Sequence, residues 1–503
     1  MKLLKYILLI VIISLGNQIG NGQAKYDYTW VFGSDAEPLE GAEGSVIQFT
    51  ETDLSIRYQM LPYEIGSTNA SISDDDGNLL FYTNACQIYN ADYQLMENGD
   101  GLNPGAFDSR CQFGDYSTPQ NAIILPDPGN ISGYFLFHKT IIYDTLNSEI
   151  VQPHLLYSYV DFSKNPLGVV IEKNVKLDTA LFSSAYIEAI PQPDSKSWWL
   201  IDFTRDREGS RYLAYSITES GITKIHDQPI QNSESLSYDC EISGQTCFTP
   251  DGKMMAKYCP NTGLDLWDFD RMTGEISNYR HVPIEAELFG ICGLAISPNS
   301  RFAYVSSVDV LWQVDLEEED LSEGIVMIDT LDIENDPLWS NFAYQQLGPD
   351  CKIYMTTVNQ YKYLHVINNP NEKGVACDFR QHGIELPYKN QIISLPNFPY
   401  FRIDEDMVCD PSIVSHIKPI PQYSADKLSI YPNPTSGELT IQLPKIISGQ
   451  LAVRNVTGKV MLTQELDFTQ EVLLDLYDFD PGLYLLEVIS APGERYVERV
   501  VLH

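Results

Sequence analysis

Basic residues are scarce in this sequence. Its 503 residues include 32 Lys and Arg against 69 Asp and Glu, which gives a formal net charge of −37. A surface this acidic repels phosphate backbones, so we expect no nucleic-acid partner. The hydrophobic fraction of 44% supplies ample material for a packed core and excludes disorder over most of the chain.

The usual catalytic motifs are missing as well. Gly-x-Ser-x-Gly, His-x-His, His-Glu-x-x-His, Walker loops and dinucleotide fingerprints do not occur, so serine hydrolases, zinc hydrolases and nucleotide-binding enzymes have no candidate site. Paired acids for glycoside cleavage stay open, because some of the 69 carboxylates converge in any fold. The sequence favours a protein that is not an enzyme and needs no cofactor, apart from the calcium considered below.

Apolar runs of membrane-spanning length are absent. A shorter run, Tyr6–Leu15, follows Lys2 and Lys5 and precedes the small and polar residues Gly16–Gln23. This layout predicts a secretory signal peptide over residues 1–22, with cleavage near Gly22-Gln23. An uncleaved N-terminal anchor is the alternative. We expect no transmembrane anchor in the mature chain.

Cys-x-x-Cys spacing is absent among the nine cysteines, which argues against structural zinc. An exported chain keeps disulfides, and an odd count leaves at least one thiol. Cys86 and Cys111 bracket an insertion rich in Gly, Asn and Asp and can close it. Unpaired buried cysteines are the alternative.

Amphipathic helices with caps are also lacking, and short runs rich in Val, Ile, Tyr, Phe and Trp recur instead. They predict strands separated by turns, and hence an all-β protein. Four turns share an apolar strand end, a small residue, Asp or Asn, and a position suited to Gly; they are Ile72–Asn78, Phe248–Lys253, Ile296–Arg301 and Leu347–Lys352. Such residues build tight hairpins. We expect Gly252 to have a positive φ. Ser300 and Cys351 occupy the equivalent position of their turns, so we expect a positive φ and some backbone strain there as well.

The repeat spacing predicts a β-propeller. Gly252 and Ser300 are 48 residues apart, and Ser300 and Cys351 are 51 apart, a period that fits one four-stranded blade. Weaker starts near 121, 185 and 394 bring the count to about seven blades, within a domain over residues 24–410. We expect the strands 28–32 and 45–50 to complete the last blade together with 394–402. Stacked sandwiches are the rival architecture.

A separate module follows. Residues 411–426 contain Pro419 and Pro421 and predict a linker. Residues 427–503 form short runs between Gly, Pro and Asn turns, which predicts a small Ig-like β-sandwich.

The tail resembles the type A C-terminal sorting domain of the Bacteroidota type IX secretion system. The carriers are Tyr431-Pro432-Asn433-Pro434 with Gly437, the segment 455–460 around Gly458, and Gly482 with Tyr484. His503 departs from the Lys or Arg that usually ends such domains. The resemblance implies the type IX machinery as partner and a secreted or cell-surface location. The alternative is an ordinary Ig-like adhesion module.

Residues 26–410 are similar to an uncharacterised group of WD40- or quinoprotein-like propeller domains found before such tails. The carriers are Trp30–Gly33, Ser71–Thr83, Met96–Gly99 and Leu395–Phe398. This resemblance implies a fold and no agreed activity.

One loop offers alternating oxygen ligands, in Asp74, Asp76 and Asn78. Such an arrangement suits calcium, although the downstream Glu of an EF-hand is absent. The alternative is a hairpin turn whose Asp side chains accept backbone N–H groups. Trp198 and Trp199 must face opposite sides of a strand. Packing between blades explains such rings, and a sugar- or protein-binding surface is the alternative for one of them.

Three functions are compatible with these observations. The leading hypothesis is a surface binding or adhesion protein, whose ligand is a glycan or a protein that the sequence does not identify. The second is a secreted carbohydrate-active enzyme with acidic residues in the propeller channel. The third is a structural component of the surface or gliding apparatus.

Overall fold

The computed structural model describes most of the chain. Described are residues 25–33, 42–50, 53–105, 111, 118–144, 149–184, 186–204, 210–230, 244–284, 292–332, 340–357, 360–391, 394–403, 422–423, 428–455, 459–477, 479, 481–490 and 494–503. The predicted signal peptide and Gly458 lie outside these residues, as does most of the predicted linker.

The first two sheets are three-stranded and antiparallel. One holds β1 (Thr29–Phe32), β2 (Ala42–Phe49) and β3 (Leu54–Leu61); the other holds β4 (Ala70–Ser73), β5 (Leu79–Thr83) and β6 (Ile88–Asn90).

The next sheet has nine strands in two units. The first unit contains β7 (Ala122–Asp127), β8 (Asn130–Lys139), β9 (Ile142–Asp144), β10 (Glu149–Asp161) and β11 (Val169–Phe182). The second contains β12 (Glu188–Pro191), β13 (Trp198–Thr204), β14 (Arg211–Thr218) and β15 (Gly221–Pro229). The two units join only through the pair Phe182 and Thr204 in the described register.

Three four-stranded antiparallel sheets follow in sequence order. The first holds β16 (Gln245–Phe248), β17 (Met254–Cys259), β18 (Gly263–Asp270) and β19 (Glu275–Val282). The second holds β20 (Gly293–Ile296), β21 (Phe302–Ser307), β22 (Val310–Asp315) and β23 (Ile325–Thr330). The third holds β24 (Gln345–Leu347), β25 (Ile353–Met355), β26 (Gln360–Ile367) and β27 (Phe379–Gln391), and a 3-10 helix at Gly374–Cys377 precedes β27. The first strands of these sheets, β16, β20 and β24, lie side by side. Sequential antiparallel sheets whose first strands meet around an axis are the blades of a β-propeller. The fold class is therefore confirmed, and the count of about seven blades stays a prediction.

The four repeated turns lie where the sequence placed them, between the first and second strands of their sheets. The φ angles of Gly77, Gly252, Ser300 and Cys351 are 89°, 67°, 63° and 66°. In the turn after β16, Gly252 donates its N–H to the Thr249 carbonyl at 2.8 Å. The Asp251 carboxylate accepts from the N–H of Lys253 at 3.1 Å. The expected positive φ is confirmed at all three predicted positions.

The predicted closing blade is wrong. Strands β1 and β2 pair with each other from Thr29 opposite Gln48 to Phe32 opposite Ser45, and β3 completes their sheet. Residues 394–403 hold no strand. Pro396 and Pro399 lack N–H donors, and Phe398 is buried, so this segment does not extend a ladder.

Neighbouring sheets pack through aromatic and aliphatic side chains. The adjacent Trp198 and Trp199 point to opposite sides of β13, and they are 6% and 4% exposed. The indole N–H of Trp198 donates to the Pro126 carbonyl at 3.2 Å, and that of Trp199 donates to the Arg271 carbonyl at 2.8 Å. Both rings therefore serve packing between blades.

The cysteines divide into disulfides and thiols. Cys86 and Cys111 are bonded, with a Cα–Cα distance of 5.5 Å, which confirms the predicted closure of that insertion. Cys259 and Cys351 each form a disulfide as well, but not with each other, whereas Cys247, Cys292 and Cys377 keep their thiols.

The tail is a β-sandwich with its own core. Its strands are β28 (Gln422–Tyr423), β29 (Ser429–Tyr431), β30 (Glu438–Asn455), β31 (Val460–Asp475), β32 (Gly482–Ser490) and β33 (Glu494–Leu502). Strand β28, which falls within the predicted linker, pairs in parallel with Glu494 and Arg495 of β33. Buried residues of the core include Ile441, Leu451 and Val488, each 0% exposed. In the described part of the chain, no helix is long and apolar enough to cross a membrane.

Replacing Gly252 should destabilise the ring. The left-handed backbone at φ 67° disfavours any residue with a Cβ, and that atom would also meet the Ile403 and Arg271 side chains. We expect Gly252→Ala to lower the free energy of unfolding by about 1–2 kcal/mol in urea titrations. Gly129→Ala is the control, because its Cβ would have only ordinary contacts at 3.4–3.5 Å. Equal effects of the two substitutions would contradict the turn assignment.

Candidate functional site

Residues 394–403, which we call the channel segment, lie against the starts of β4, β7 and β12. The Phe398 ring lies 6.2 Å from that of Trp30. The Phe401 ring lies 5.7 Å from Trp198 and 5.3 Å from Tyr26. The segment thus packs on side chains from both the start of the domain and its middle.

Asn397 of the channel segment hydrogen-bonds backbone groups at the starts of three strands. Its side-chain amide donates to the carbonyls of Ala122 and Ile187, each at 3.1 Å. Its backbone N–H donates to the Asn69 carbonyl at 2.9 Å. These carbonyls lie at or next to the starts of β7, β12 and β4, so Asn397 satisfies backbone groups that point at the axis.

Glutamine side chains join the remaining inner strands in the same manner. Gln120 donates to the Thr246 carbonyl and accepts from the Thr246 N–H, both at 2.8 Å. Gln245 donates to the Gln345 carbonyl at 2.6 Å and accepts from the N–H of Leu294 at 3.0 Å. Each side-chain amide thus donates one hydrogen bond to a backbone carbonyl and accepts one from a backbone N–H, as the backbone of a neighbouring strand would.

A buried ion pair fixes the end of the channel segment. Arg402 donates to Asp27 at 2.7 Å, and the side chains are 2% and 3% exposed. The pair links the first residues of the described ring to the last. Removing one partner of such a pair leaves an uncompensated buried charge, which is strongly destabilising.

A cavity with about 50 Å³ of space for water remains beside the channel segment. Its lining is half apolar, from residues such as Phe248, Leu294, Ile296 and Phe398, and half polar, from Asp27, Gln120, Glu188, Gln245, Thr246, Gln345 and Arg402.

Glu188 is a titratable group of this lining whose pKa is strongly shifted. It is 4% exposed, and its carboxyl group accepts from the Ala189 N–H at 2.9 Å and from Gln120 at 3.4 Å. Burial raises the pKa of Glu188 well above its usual range, and these two hydrogen bonds oppose the rise. Glu188 opens β12 as Gln245 opens β16 and Gln345 opens β24, so a buried carboxyl group stands where those two sheets have an amide.

The proposed calcium loop has the geometry of a hairpin turn. One Asp74 oxygen accepts from the N–H groups of Asp76 and Asn78, at 3.0 and 2.8 Å, and the Asn78 amide donates to the other Asp74 oxygen at 3.1 Å. Among the described residues, no three His, Cys, Asp or Glu side chains are grouped so as to hold a metal ion. Calcium binding by this loop stays a prediction.

In the tail, Asn433 holds the last strand. Its side chain donates to the Arg499 carbonyl at 2.6 Å and accepts from the Val501 N–H at 2.9 Å. Thr435 continues the contact, since its N–H donates to the Val501 carbonyl at 2.9 Å. The Asn-Pro-Thr portion of the motif therefore lies along β33.

The other motif residues divide into packed and exposed positions. Gly437 has φ 148°, and a Cβ there would overlap the Tyr477 ring. Gly482 opens β32 opposite Leu502, and Tyr484 is buried against Phe479. Tyr431, Pro432 and Pro434 are exposed.

Sequence reasoning missed the channel residues Asn397, Glu188 and Arg402. Leu395–Phe398 was a carrier of a resemblance and, within 394–402, was predicted to be part of the closing blade. Two prolines within a short aromatic segment were the available signal against a strand. Glu188 and Arg402 carry no local signal, because their burial depends on contacts with residues far away in the sequence.

Comparison with known proteins defines the tail. Residues 429–503 match the family model described as "Secretion system C-terminal sorting domain". The chain is thus an exported all-β protein with a sorting tail. In particular, residues 429–503 belong to the C-terminal sorting domains carried by type IX secretion cargo. No curated protein matches the sequence.

Solved structures resemble the chain at low identity. The Pseudomonas aeruginosa periplasmic gluconolactonase PpgL is 13% identical, with a TM-score of 0.44 over 73% of this chain and 98% of its own. A Lactobacillus plantarum protein is 12% identical, with a TM-score of 0.42 over 73% and 98%. The β-propeller domain of Myceliophthora thermophila Cps50 (Swd1) is 9% identical, with a TM-score of 0.34 over 68% and 92%. Likeness at this level carries no information about activity.

Replacing Glu188 by Gln should change how stability depends on pH. A raised pKa in the folded state means that stability is fully present below the unfolded pKa of about 4.3 and is lost as the pH rises. Glu188→Gln keeps the shape and abolishes this loss. We expect its unfolding temperature to exceed that of the wild type by a few degrees near about pH 8, with the difference narrowing toward about pH 4. The exposed Glu219→Gln is the control, and a pH-independent difference at Glu188 would contradict the argument.

Replacing Asn433 by Ala should loosen the last strand. The change removes one donor and one acceptor to β33, and we expect a loss of about 1–2 kcal/mol in the stability of the tail. Hydrogen exchange at the Val501 N–H should rise with it. The exposed neighbour Ser436→Ala should leave exchange unchanged. Unchanged protection in Asn433→Ala would mean that the motif does not hold β33.

Proposed function

We propose that the protein is an exported binding protein, displayed at the cell surface or released, whose propeller binds its ligand without turning it over. The sorting domain provides the export. The cleaved signal peptide over residues 1–22 and the accessible linker over residues 411–426 are parts of this proposal.

The small cavity beside the channel segment, with no free pair of carboxylates in its described lining, is the observation that supports a binding role. Glycoside cleavage needs two carboxyl groups with a sugar unit on either side of the bond between them. Among the described residues, the channel segment lies against the starts of inner strands, and the cavity beside it has about 50 Å³ of space for water. Its two carboxylic residues are occupied otherwise, since Asp27 is paired with Arg402 and burial favours the neutral form of Glu188. This supports binding over the carbohydrate-active alternative.

Binding without turnover is testable on the mature full-length protein. We expect it to be retained on polysaccharides or cell-surface extracts of the producing organism. The retained ligand should keep its chain length after prolonged incubation, as measured by chromatography. A heat-unfolded sample serves as control. Release of new reducing ends by the native protein would contradict the proposal and favour the enzyme.

Removing residues 427–503 should block display while leaving the ring folded. The tail has a hydrophobic core of its own, so we expect the truncated protein to accumulate in the periplasm in a protease-resistant, disulfide-bonded form. Cell fractionation with immunodetection measures this. A variant with the exposed substitution Ser436→Ala in an intact tail is the control. Unchanged levels at the surface or in the medium would refute the role assigned to the tail.

A further inference from the structure

Cys259 and Cys351 have disulfide partners that lie outside the described residues. Both are disulfide-bonded, whereas the other described cysteines are the Cys86–Cys111 pair and three thiols. Of the nine cysteines in the sequence, Cys240 and Cys409 therefore remain as the two partners. This count allows two connectivities, which the surroundings of Cys259 and Cys351 distinguish.

Cys259 lies at the face of the ring where the first strands of the sheets begin. It ends β17, and in register its neighbour Tyr258 is opposite Gln245, which begins β16. Cys240 precedes Gln245 by five residues, which reach at most about 18 Å. Opposite Cα atoms of two strands are about 5 Å apart, and a disulfide joins Cα atoms about 5.5–6 Å apart. Cys240 can therefore reach Cys259 without crossing a sheet.

Cys351 lies at the opposite face, in the turn between β24 and β25. Gly252 and Ser300 hold the equivalent position in the two preceding sheets. These turns adjoin one another, because the Asp251 N–H donates to Ser300 Oγ at 2.9 Å. A strand of six residues such as β17 separates this face from that of Cys259 by about 17 Å.

The channel segment runs between these two faces. Near its start, Asn397 bonds carbonyls at the starts of inner strands. At its end, Ile403 approaches the turn between β16 and β17, since a Cβ on Gly252 would overlap the Ile403 side chain. Cys409 follows Ile403 by six residues, which reach at most about 22 Å. The chain therefore leaves Ile403 at the face that carries Cys351.

We propose that the ring carries the disulfides Cys240–Cys259 and Cys351–Cys409. Each bond joins two cysteines that are anchored at the same face. The alternative pairs, Cys240–Cys351 and Cys259–Cys409, would both have to run from face to face along the packed sheets. An exported chain can form such bonds, because each pair of thiols loses two protons and two electrons to a disulfide of an oxidising partner, which is reduced to a dithiol.

The Cys351–Cys409 bond holds the end of the channel segment to the ring just before residues 411–426. Cleavage of the chain after Cys409 therefore separates the sorting tail without releasing the channel segment, in which Arg402 is paired with Asp27. The separated ring keeps the hydrogen bonds of Asn397 to the inner strands.

Thiol titration in denaturant, on the mature full-length protein, distinguishes the two connectivities. The wild type should show three thiols. The double variant Cys351→Ser with Cys409→Ser removes one whole bond and should keep that number. The matched control, Cys259→Ser with Cys409→Ser, breaks two bonds and should show two thiols more. The opposite result, or equal counts in the two variants, would overturn the pairing.

Peptide mapping of the unreduced wild type gives a second readout that needs no variant. After the thiols are blocked, digestion with trypsin and a glutamate-specific protease cuts after Glu241 and so separates Cys240 from the thiol of Cys247. The linked peptides should contain the two proposed pairs. A linked peptide that holds Cys240 with Cys351 would overturn the proposal.

Discussion

The hydrogen bonds of Asn397 are the constraint on which the ring depends. Sheets arranged around an axis leave the first strands with backbone groups that face a hole, and burying such groups unpaired is costly. One asparagine bonds carbonyls at the starts of three strands, at 2.9–3.1 Å. Gln120 and Gln245 do the same for the others. Sheets that share almost no ladder hydrogen bonds thereby become one body.

Hydrogen bonding by amide side chains also limits the number of charged groups beside the channel segment. The chain carries a formal net charge of −37, yet the ionic contact of the channel segment is a compensated pair, Asp27 with Arg402. Amide groups and a neutral acid provide the other polar contacts of the axis. A lone charge placed beside the channel segment would be desolvated without a partner, which is costly. The acidic surface acts on solubility and on what approaches the protein.

Local chemistry explains what could be predicted from the sequence. The turns at Asp251-Gly252 and Asn299-Ser300 depend on side chains that cap their own backbone, and those residues are neighbours in the chain. The Cys86–Cys111 disulfide closes an insertion bracketed by its own ends. The sorting motif was visible for the same reason, since Asn433, Thr435 and Gly437 act within a few residues of each other. Each of these features is written in a short stretch of sequence.

The channel segment and Glu188 could not be predicted, because their roles are set by distant parts of the chain. Residues 394–402 have the aromatic content of a strand, and contacts with distant residues, such as the hydrogen bond to Asn69 and the ring contact with Trp30, show that they lie against the inner strands instead. Glu188 is one of 69 acidic residues, and nothing in its neighbourhood distinguishes it. Its position at the start of β12, where β16 and β24 begin with glutamine, exists only after the strands are in register. The placement of the Glu188 carboxyl group where other strands carry an amide therefore depends on the assembled ring. Burial in that ring raises the pKa of Glu188 and so favours its neutral form.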